Sequence, residues 1–234
     1  MTATATIHLR PHEAVAERVL VPGDPGRALR LAQLLLEKPK MLNHNRGLWG
    51  YSGVAADGEP LTIQSTGMGG PSAAIVLEEL IELGARRIVR VGTCGALVDA
   101  LALGDLVVAD GVLAEDGTSR ALGAGGTLRP DSGLRVALAA AAPAARAGLV
   151  VSSDLFYDPD PGRAHAWARA GALAVEMEAA TLLAVAARRG VAAAVVLAVS
   201  DVVAAGGRIG QDALERAEAE LGRAGLAALA PDGS

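Results

Sequence analysis

The chain has 234 residues, 51% hydrophobic and 20% charged, enough for one large domain or two small ones around a sizeable core. Its formal charge of −5 argues against nucleic acid as a main partner, and its single cysteine, Cys94, excludes an internal disulfide and a cysteine-based zinc cluster. The mean hydropathy of +0.35 raises the question of a membrane span, but VAAAVVLAV (191–199) is too short and the apolar run 134–151 is broken by Pro143 and Arg146. A spanning helix needs about 20 apolar residues. The N-terminal MTATATIHLRPHE has no apolar signal core and no cleavage pattern, so a cytoplasmic protein is expected.

In chain order, RVLVPG (18–23) reads as a buried strand and 27–36 as a helix. PLTIQSTG (60–67) is the next strand, followed by a helix over 71–84. RRIVRVGT (86–93) and GDLVVAD (104–110) are further strands. The stretch 116–133 is the longest irregular one and reads as a surface loop. Helices are predicted over 134–147, 161–170, 177–190 and 211–229, with AAAVVLAVSD (192–201) as the last strand. Strands alternating with helices imply an α/β sheet, mostly parallel. No repeat and no low-complexity linker divides the chain, so 1–234 is expected to form one domain. Aromatics are only 2%, so tight packing of small residues is expected.

Three glycine-rich turns each follow a strand: GDPGR (23–27), GMGGPS (67–72) and GTCGA (92–96). In parallel α/β sheets, ligands bind beyond the carboxyl ends of strands. Glycine lets backbone N–H groups approach an anion, and a following helix N-terminus adds a favourable dipole. Arg27 and Arg90 stand beside two of these turns, and arginine is a bidentate partner for phosphate. Arg90 also lies inside the apolar run IVRVG, where an unpaired charge is costly, so it requires an anionic partner. One such turn is an ordinary connector; three with two arginines point to an oxyanion site, most simply phosphate. No G-x-x-x-x-G-K-[ST] occurs and no clean G-x-G-x-x-G follows a strand, which excludes the standard nucleotide loops.

Glu176 and Glu178 bracket Met177 ahead of an apolar helix. They serve either the helix N-terminus electrostatically or, as carboxylates, sugar hydroxyls that need strong acceptors. Ser200 and Asp201 end the last strand, where the acid is either a turn residue or part of a site. VVAAGG after it does not read as an immediate helix start, which weakens a capping role. Phe156 and Tyr157 are either a loop anchor or a wall for a planar ring.

Together these segments resemble the nucleoside phosphorylase family, in its hexameric bacterial branch of purine nucleoside and uridine phosphorylases. The matching stretches are VLVPGDPGRA, NHNRGLWGYSG, STGMGGPSAA, RIVRVGTCGAL, SSDLFY, VEMEAATLL and VLAVSD, in family order from residue 8 to about 201. The resemblance implies a three-layer α/β/α sandwich around a twisted, partly barrel-like mixed sheet. It implies phosphorolysis, in which inorganic phosphate attacks C1′ of a nucleoside and releases the base and ribose 1-phosphate. Phosphate is a co-substrate, and no metal or organic cofactor is implied. By resemblance Gly23, Arg27, Arg90 and Thr93 hold phosphate, and Arg46 reaches a neighbouring subunit's phosphate within a homohexamer built from dimers. His8, or His12 in its place, reaches the neighbour's ribose; Met68, Met177 and Glu178 hold ribose. Phe156, Glu176 and Ser200 line the base, and Asp201 is the acid toward purine N7, assisted by Arg216 or else by Arg208.

GMGGPS, the GT of VGTCGA and EMEAATLL are also similar to uridine phosphorylases. Those enzymes carry an inserted loop with a glutamine and an arginine that read uracil. Here DLFYDPDPGRAHAWARAG (154–171) is short, has no glutamine and offers Arg163 alone. A purine nucleoside is therefore expected, with inosine, guanosine and adenosine all admitted; uridine phosphorylase is the alternative. A nucleosidase would use water and would need neither GDPGR nor Arg90. An inactive nucleoside-binding module would show no turnover at all.

Overall fold

The computed structural model describes residues 6–203 and 206–231. Among these residues the strands are β1 (Arg18–Val21), β2 (Leu36–Asn43), β3 (Gly50–Ala55), β4 (Pro60–Gln64), β5 (Arg87–Ala96), β6 (Leu106–Ala114), β7 (Thr127–Leu128), β8 (Arg146–Ser152), β9 (Ala172–Glu176), β10 (Ala192–Val202) and β11 (Gly207–Arg208). The helices are α1 (Pro25–Leu35), α2 (Gly70–Glu82), α3 (Gly117–Ala121), α4 (Ser132–Ala141), α5 (Arg163–Arg169), α6 (Ala179–Arg189) and α7 (Gln211–Ala228).

All strands join one sheet, and five of them close into a ring: β10–β6–β8–β9–β5 and back to β10. Strand β5 makes the closure possible. One of its edges pairs with β10 along nearly its whole length. The opposite edge is divided, with Arg87–Arg90 on β1 and Gly95–Ala96 on β9. From β1 the sheet runs on through β4 and β3 to β2 at its free edge. The mostly parallel sheet read from the strand–helix alternation is corrected here: the sheet is mixed, as the family resemblance implies. The antiparallel members come from the β2–β3–β4 meander and from the pairs β5–β9, β6–β7, β6–β10 and β10–β11.

Residues alternate between two cores along the buried strands. On β10, Ala193, Val195, Leu197 and Val199 join one cluster with Val76, Leu77 and Leu80 of α2 and Leu182 and Val185 of α6. Ala194, Val196 and Ala198 join the other with Leu31 of α1, Leu138 of α4 and Leu221 of α7. Helices therefore cover both faces, giving three layers. No helix among the described residues is long and apolar enough to cross a membrane.

Two sequence expectations change. The helix predicted over 134–147 stops at Ala141, because Pro143 cannot donate to the next turn, and Arg146 opens β8. The stretch 116–133 is not a plain loop: Asp116 caps α3, β7 pairs with β6, and Asp131 caps α4. Strand β2 departs from regular pairing twice, between Glu37 and Lys40 and between Met41 and Asn43. Lys38 there adopts φ +47° just before Pro39.

Candidate active site

The site begins where β1 ends. Asp24 caps α1 by accepting the Arg27 N–H at 2.6 Å, and Pro25 occupies the first turn, where no donor is needed. The turn after β4 is stitched alongside: Thr66 N–H donates to Pro22 O and Gly67 N–H to Gly23 O, at 2.9 and 3.0 Å. Gly67 sits at φ +73°, and a Cβ there would come within 2.5 Å of Ser72 Oγ, so only glycine fits. The third segment, GTCGA, is corrected: it is not a turn but the second half of β5. Thr93 therefore belongs to a strand that β10 continues to pair.

These strand ends open on a cavity of about 880 Å³. Gly23, Arg27, Met68, Arg90, Thr93, Phe156, Glu176, Met177, Glu178, Ser200 and Asp201 all line it. Residues far apart in the chain, from Gly23 to Asp201, thus meet in one place. The volume falls in the range of small-molecule sites.

Arg90 is buried beneath the cavity floor. Its Nε donates to Glu176 Oε2 at 2.9 Å, and its Nη2 donates to Glu178 Oε2. The anionic partner that the sequence demands is thus supplied within the chain. Nη1 remains buried with no hydrogen-bond partner among the described residues. A donor left so is costly unless a ligand meets it. Gly92 makes room for this guanidinium, since a Cβ there would lie 2.8 Å from Nη2 and 2.9 Å from Cζ. Burial works against the Arg90 charge, but Glu178 and Glu176 more than offset it and raise its pKa above the ordinary arginine value.

The two glutamates differ. Glu176 accepts from Ser152 Oγ, from the Ala179 and Glu178 N–H groups at 2.9 and 2.8 Å, and from Arg90. All its acceptor capacity is in use, so its carboxylate seats Arg90 and the start of α6 instead of facing a base. The base-binding role expected of Glu176 thus finds no free side-chain acceptor in this arrangement, although the residue lines the cavity. Glu178 accepts from Gly69 N–H at 2.5 Å and from Arg90, and keeps acceptor capacity toward the cavity. Burial pushes its pKa up; Arg90 pulls it back, and Glu176 adds to the rise.

Arg27 lies at the other side of the floor, and its Nε donates to Glu218 Oε1 at 2.8 Å. Neither Nη of Arg27 bonds to a described residue. Glu218, on α7, is absent from the sequence reading. Its signal is position: it lies four residues after Leu214 and three before Leu221 on the apolar stripe of that helix, where a carboxylate must have a partner.

At the far wall, a bulge in β10 makes Ser200 an extra residue between the pairs Val199–Cys94 and Asp201–Gly95. One inserted residue shifts the alternation and re-aims the side chains after it. Ser200 Oγ donates to Asp201 Oδ2 at 2.7 Å, and Arg208 Nε stands 3.3 Å from Oδ1. Arg208 lines the cavity, whereas Arg216 is exposed on α7 outside it. Of the two arginines expected to assist Asp201, Arg208 and not Arg216 stands beside it here, because the β10–β11 hairpin brings 208 opposite 201. Phe156 is 59% exposed and meets Tyr157 edge-on at 5.0 Å between ring centres. Cys94 also lines the cavity; burial, with Glu176 adding, pushes its thiol well up, so it stays neutral.

Arg46 and His8 do not line this cavity. Arg46 is exposed in a short turn at φ +59°. His8 Nδ1 lies 2.7 Å from Glu79 Oε1, and Glu79 also accepts from the N–H groups of His8 and Leu9. His12 stacks on His44 at 5.7 Å. No group of three metal-ligating side chains gathers among the described residues.

Known proteins are similar to this chain along most of its length. Residues 17–230 match the Phosphorylase superfamily. The purine nucleoside phosphorylase DeoD-type of Caldanaerobacter subterraneus subsp. tengcongensis is 36% identical over 86% of this chain and 90% of its own length. That of Geobacillus kaustophilus is 38% identical over 82% of this chain and 84% of its own. The guanosine phosphorylase of Halorubrum lacusprofundi is 39% identical over 88% and 87% respectively.

Proposed function

The chain belongs to the Phosphorylase superfamily, and from that premise we propose that it is a purine nucleoside phosphorylase, a pentosyltransferase. It cleaves purine (deoxy)ribonucleosides with inorganic phosphate to free base and (deoxy)ribose 1-phosphate. The observation that carries this reading is the floor of the cavity. Arg27 and Arg90 both offer N–H groups without partners among the described residues, beside a carboxylate suited to sugar hydroxyls and opposite an acid. The three relatives act on purine nucleosides by their names, which favours the purine reading over uridine.

In this reading Arg27 and Arg90 pin the phosphate dianion, with Gly23 and Thr93 beside it. Glu178 accepts the ribose hydroxyls, and Met68 and Met177 pack the sugar. A phosphate oxygen forms the bond to C1′ as the C1′–N9 bond breaks and its electron pair passes to the purine. The phosphate charge offsets the positive character at C1′. Asp201 gives a proton to N7, and Arg208 on Oδ1 balances the carboxylate left behind. Phe156 offers a face to the flat base. No cofactor enters these steps.

Arg46 and His8 complete a neighbour's site in a homohexamer. Their position outside their own chain's cavity is what such donation requires. The cytoplasm is the expected compartment.

The test is base release from inosine, adenosine and uridine, each with and without phosphate. Phosphate-dependent release of hypoxanthine or adenine with little uracil supports the reading. Uracil release would overturn the base assignment, and release without phosphate would make the chain a nucleosidase.

A further inference from the structure

A free arginine samples many rotamers, and binding an anion with one carries the entropy of fixing it. For Arg27, helix α7 supplies the fixation. Glu218 is 2% exposed, and both its oxygens are occupied. Oε1 accepts from Arg27 Nε at 2.8 Å. Oε2 accepts from Arg30 Nε and Nη2, at 2.9 and 2.5 Å.

We propose that Glu218 is a positioning residue that aims Arg27 at the phosphate. The inference rests on the phosphorylase reading and deepens it. The geometry is specific in one respect. Glu218 takes the Nε of Arg27, the donor that cannot form a terminal fork, and leaves both Nη groups to a ligand. A carboxylate placed against the two Nη groups would have competed with phosphate for the fork.

Arg30 joins Arg27 and Glu218 in a trio by donating to the opposite carboxylate oxygen, and it also stands 3.9 Å from Asp24 Oδ1. Arg27 lines the cavity, whereas Arg30 does not. Arg30 thus grips Glu218 from outside, and Glu218 holds Arg27 at the cavity. The same trio ties α1 to α7, so a merely structural clamp is the rival explanation.

The two explanations separate in steady-state kinetics with phosphate and inosine varied independently. In the assembled enzyme, Glu218→Leu should raise KM for phosphate by about tenfold or more, the scale of one hydrogen bond to a charged group. kcat extrapolated to saturating phosphate should fall much less, and KM for inosine should hardly move. Glu218→Gln keeps an acceptor for Nε and should recover most of the phosphate affinity. Arg30→Met breaks the clamp but leaves the Glu218–Arg27 bond, so it should lower Tm with little change in phosphate KM. If Glu218→Leu does not fold, Glu218→Asp replaces it; one methylene shorter, it should still raise phosphate KM severalfold and exceed the effect of Glu218→Gln.

Arg27→Ala is measured in parallel. If it raises phosphate KM and neither Glu218→Leu nor Glu218→Asp does, the proposal is overturned and the phosphate reading stands. Equal effects of Arg30→Met and Glu218→Leu on phosphate KM would also overturn it. If Arg27→Ala itself leaves phosphate dependence unchanged, the phosphate assignment fails and this proposal with it.

Discussion

Asp201 and Arg208 face each other across the β10–β11 ladder, paired in register, with Arg208 Nε 3.3 Å from Asp201 Oδ1. Two residues close in the chain are thus an acid and its counter-charge by hairpin geometry. Asp201→Asn should slow purine release by about 10²- to 10⁴-fold, the usual contribution of general acid catalysis. Phosphate KM should stay nearly constant. Arg208→Met should lower kcat by roughly two- to fivefold, on the scale of an exposed ion pair, and Arg216→Met should not. Steady-state rates on inosine decide between the two arginines.

Gly92 offers a sharper probe of the cavity floor. Its Cβ would strike the Arg90 guanidinium, and Leu197 Cδ2 lies only 3.0 Å away on the other side. Gly92→Ala should displace Arg90 from Glu178 and raise the KM values for phosphate and nucleoside together. Overpacking of this kind typically destabilises by about 1–3 kcal/mol. Kinetics and a denaturant titration check both effects.

Glu178 should leave a mark on pH dependence. Burial, with Glu176 reinforcing it, raises its folded pKa above the unfolded value of about 4.3. The group's contribution to stability is therefore complete below the unfolded pKa and lost as pH rises through the folded one. The stability difference between the wild type and Glu178→Gln should fall with pH across that window and be flat above it. Urea titrations at several pH values measure this. The acidic limb of kcat/KM should also lie above the ordinary glutamate value, because the ribose site needs the ionised form.

Glu79 predicts the opposite sign. Burial alone would raise its pKa, but hydrogen bonds from Leu9, His8 and Ile7 together hold it below the ordinary value. Its stabilising contribution is present above the unfolded pKa and lost as pH falls through the folded one. Glu79→Gln should therefore lower Tm near neutral pH, and the gap should close in acid. The same variant should lower activity if His8 serves a neighbouring ribose, because Glu79 anchors its ring and backbone.

Shared sites are testable by mixing. Arg46→Ala and Asp201→Asn subunits, each inactive alone, should recover activity on subunit exchange, because some sites would then combine an intact Asp201 with an intact Arg46. No recovery after verified exchange would count against donation across an interface.

Much of the frame is legible because burial writes a strong pattern. The apolar runs of β1, β4, β5, β6 and β10 each stand out in the sequence, and helix α1 follows its capped turn. The β2–β3 hairpin does not, since LEKPKMLN and GYSGVA mix charges, glycine and a proline and show no clean alternation. GTCGA reads as a turn because glycines usually break strands, whereas Gly92 is there to seat Arg90. The need of Arg90 for an anion is visible in its apolar surroundings. That glutamates 86 and 88 positions away supply it is a property of the closed ring, which no local pattern encodes. Asp201 is visible at a strand end, but its partner depends on a short hairpin pairing, Asp201–Arg208 and Val202–Gly207.

Strand β2 has a consequence for how copies of the chain meet. A sheet that ends in a straight, apolar strand offers unpaired N–H and C=O groups to any extended segment, and invites runaway stacking. Here the terminal strand is kinked by two irregular steps, carries a left-handed lysine and a proline without a donor, and exposes Glu37, Lys38 and Lys40. Hydrogen-bonded continuation of the sheet from one molecule into the next is thereby discouraged. A contact between copies is steered away from this edge, which guards an alanine-rich, hydrophobic chain against open-ended sheet growth there.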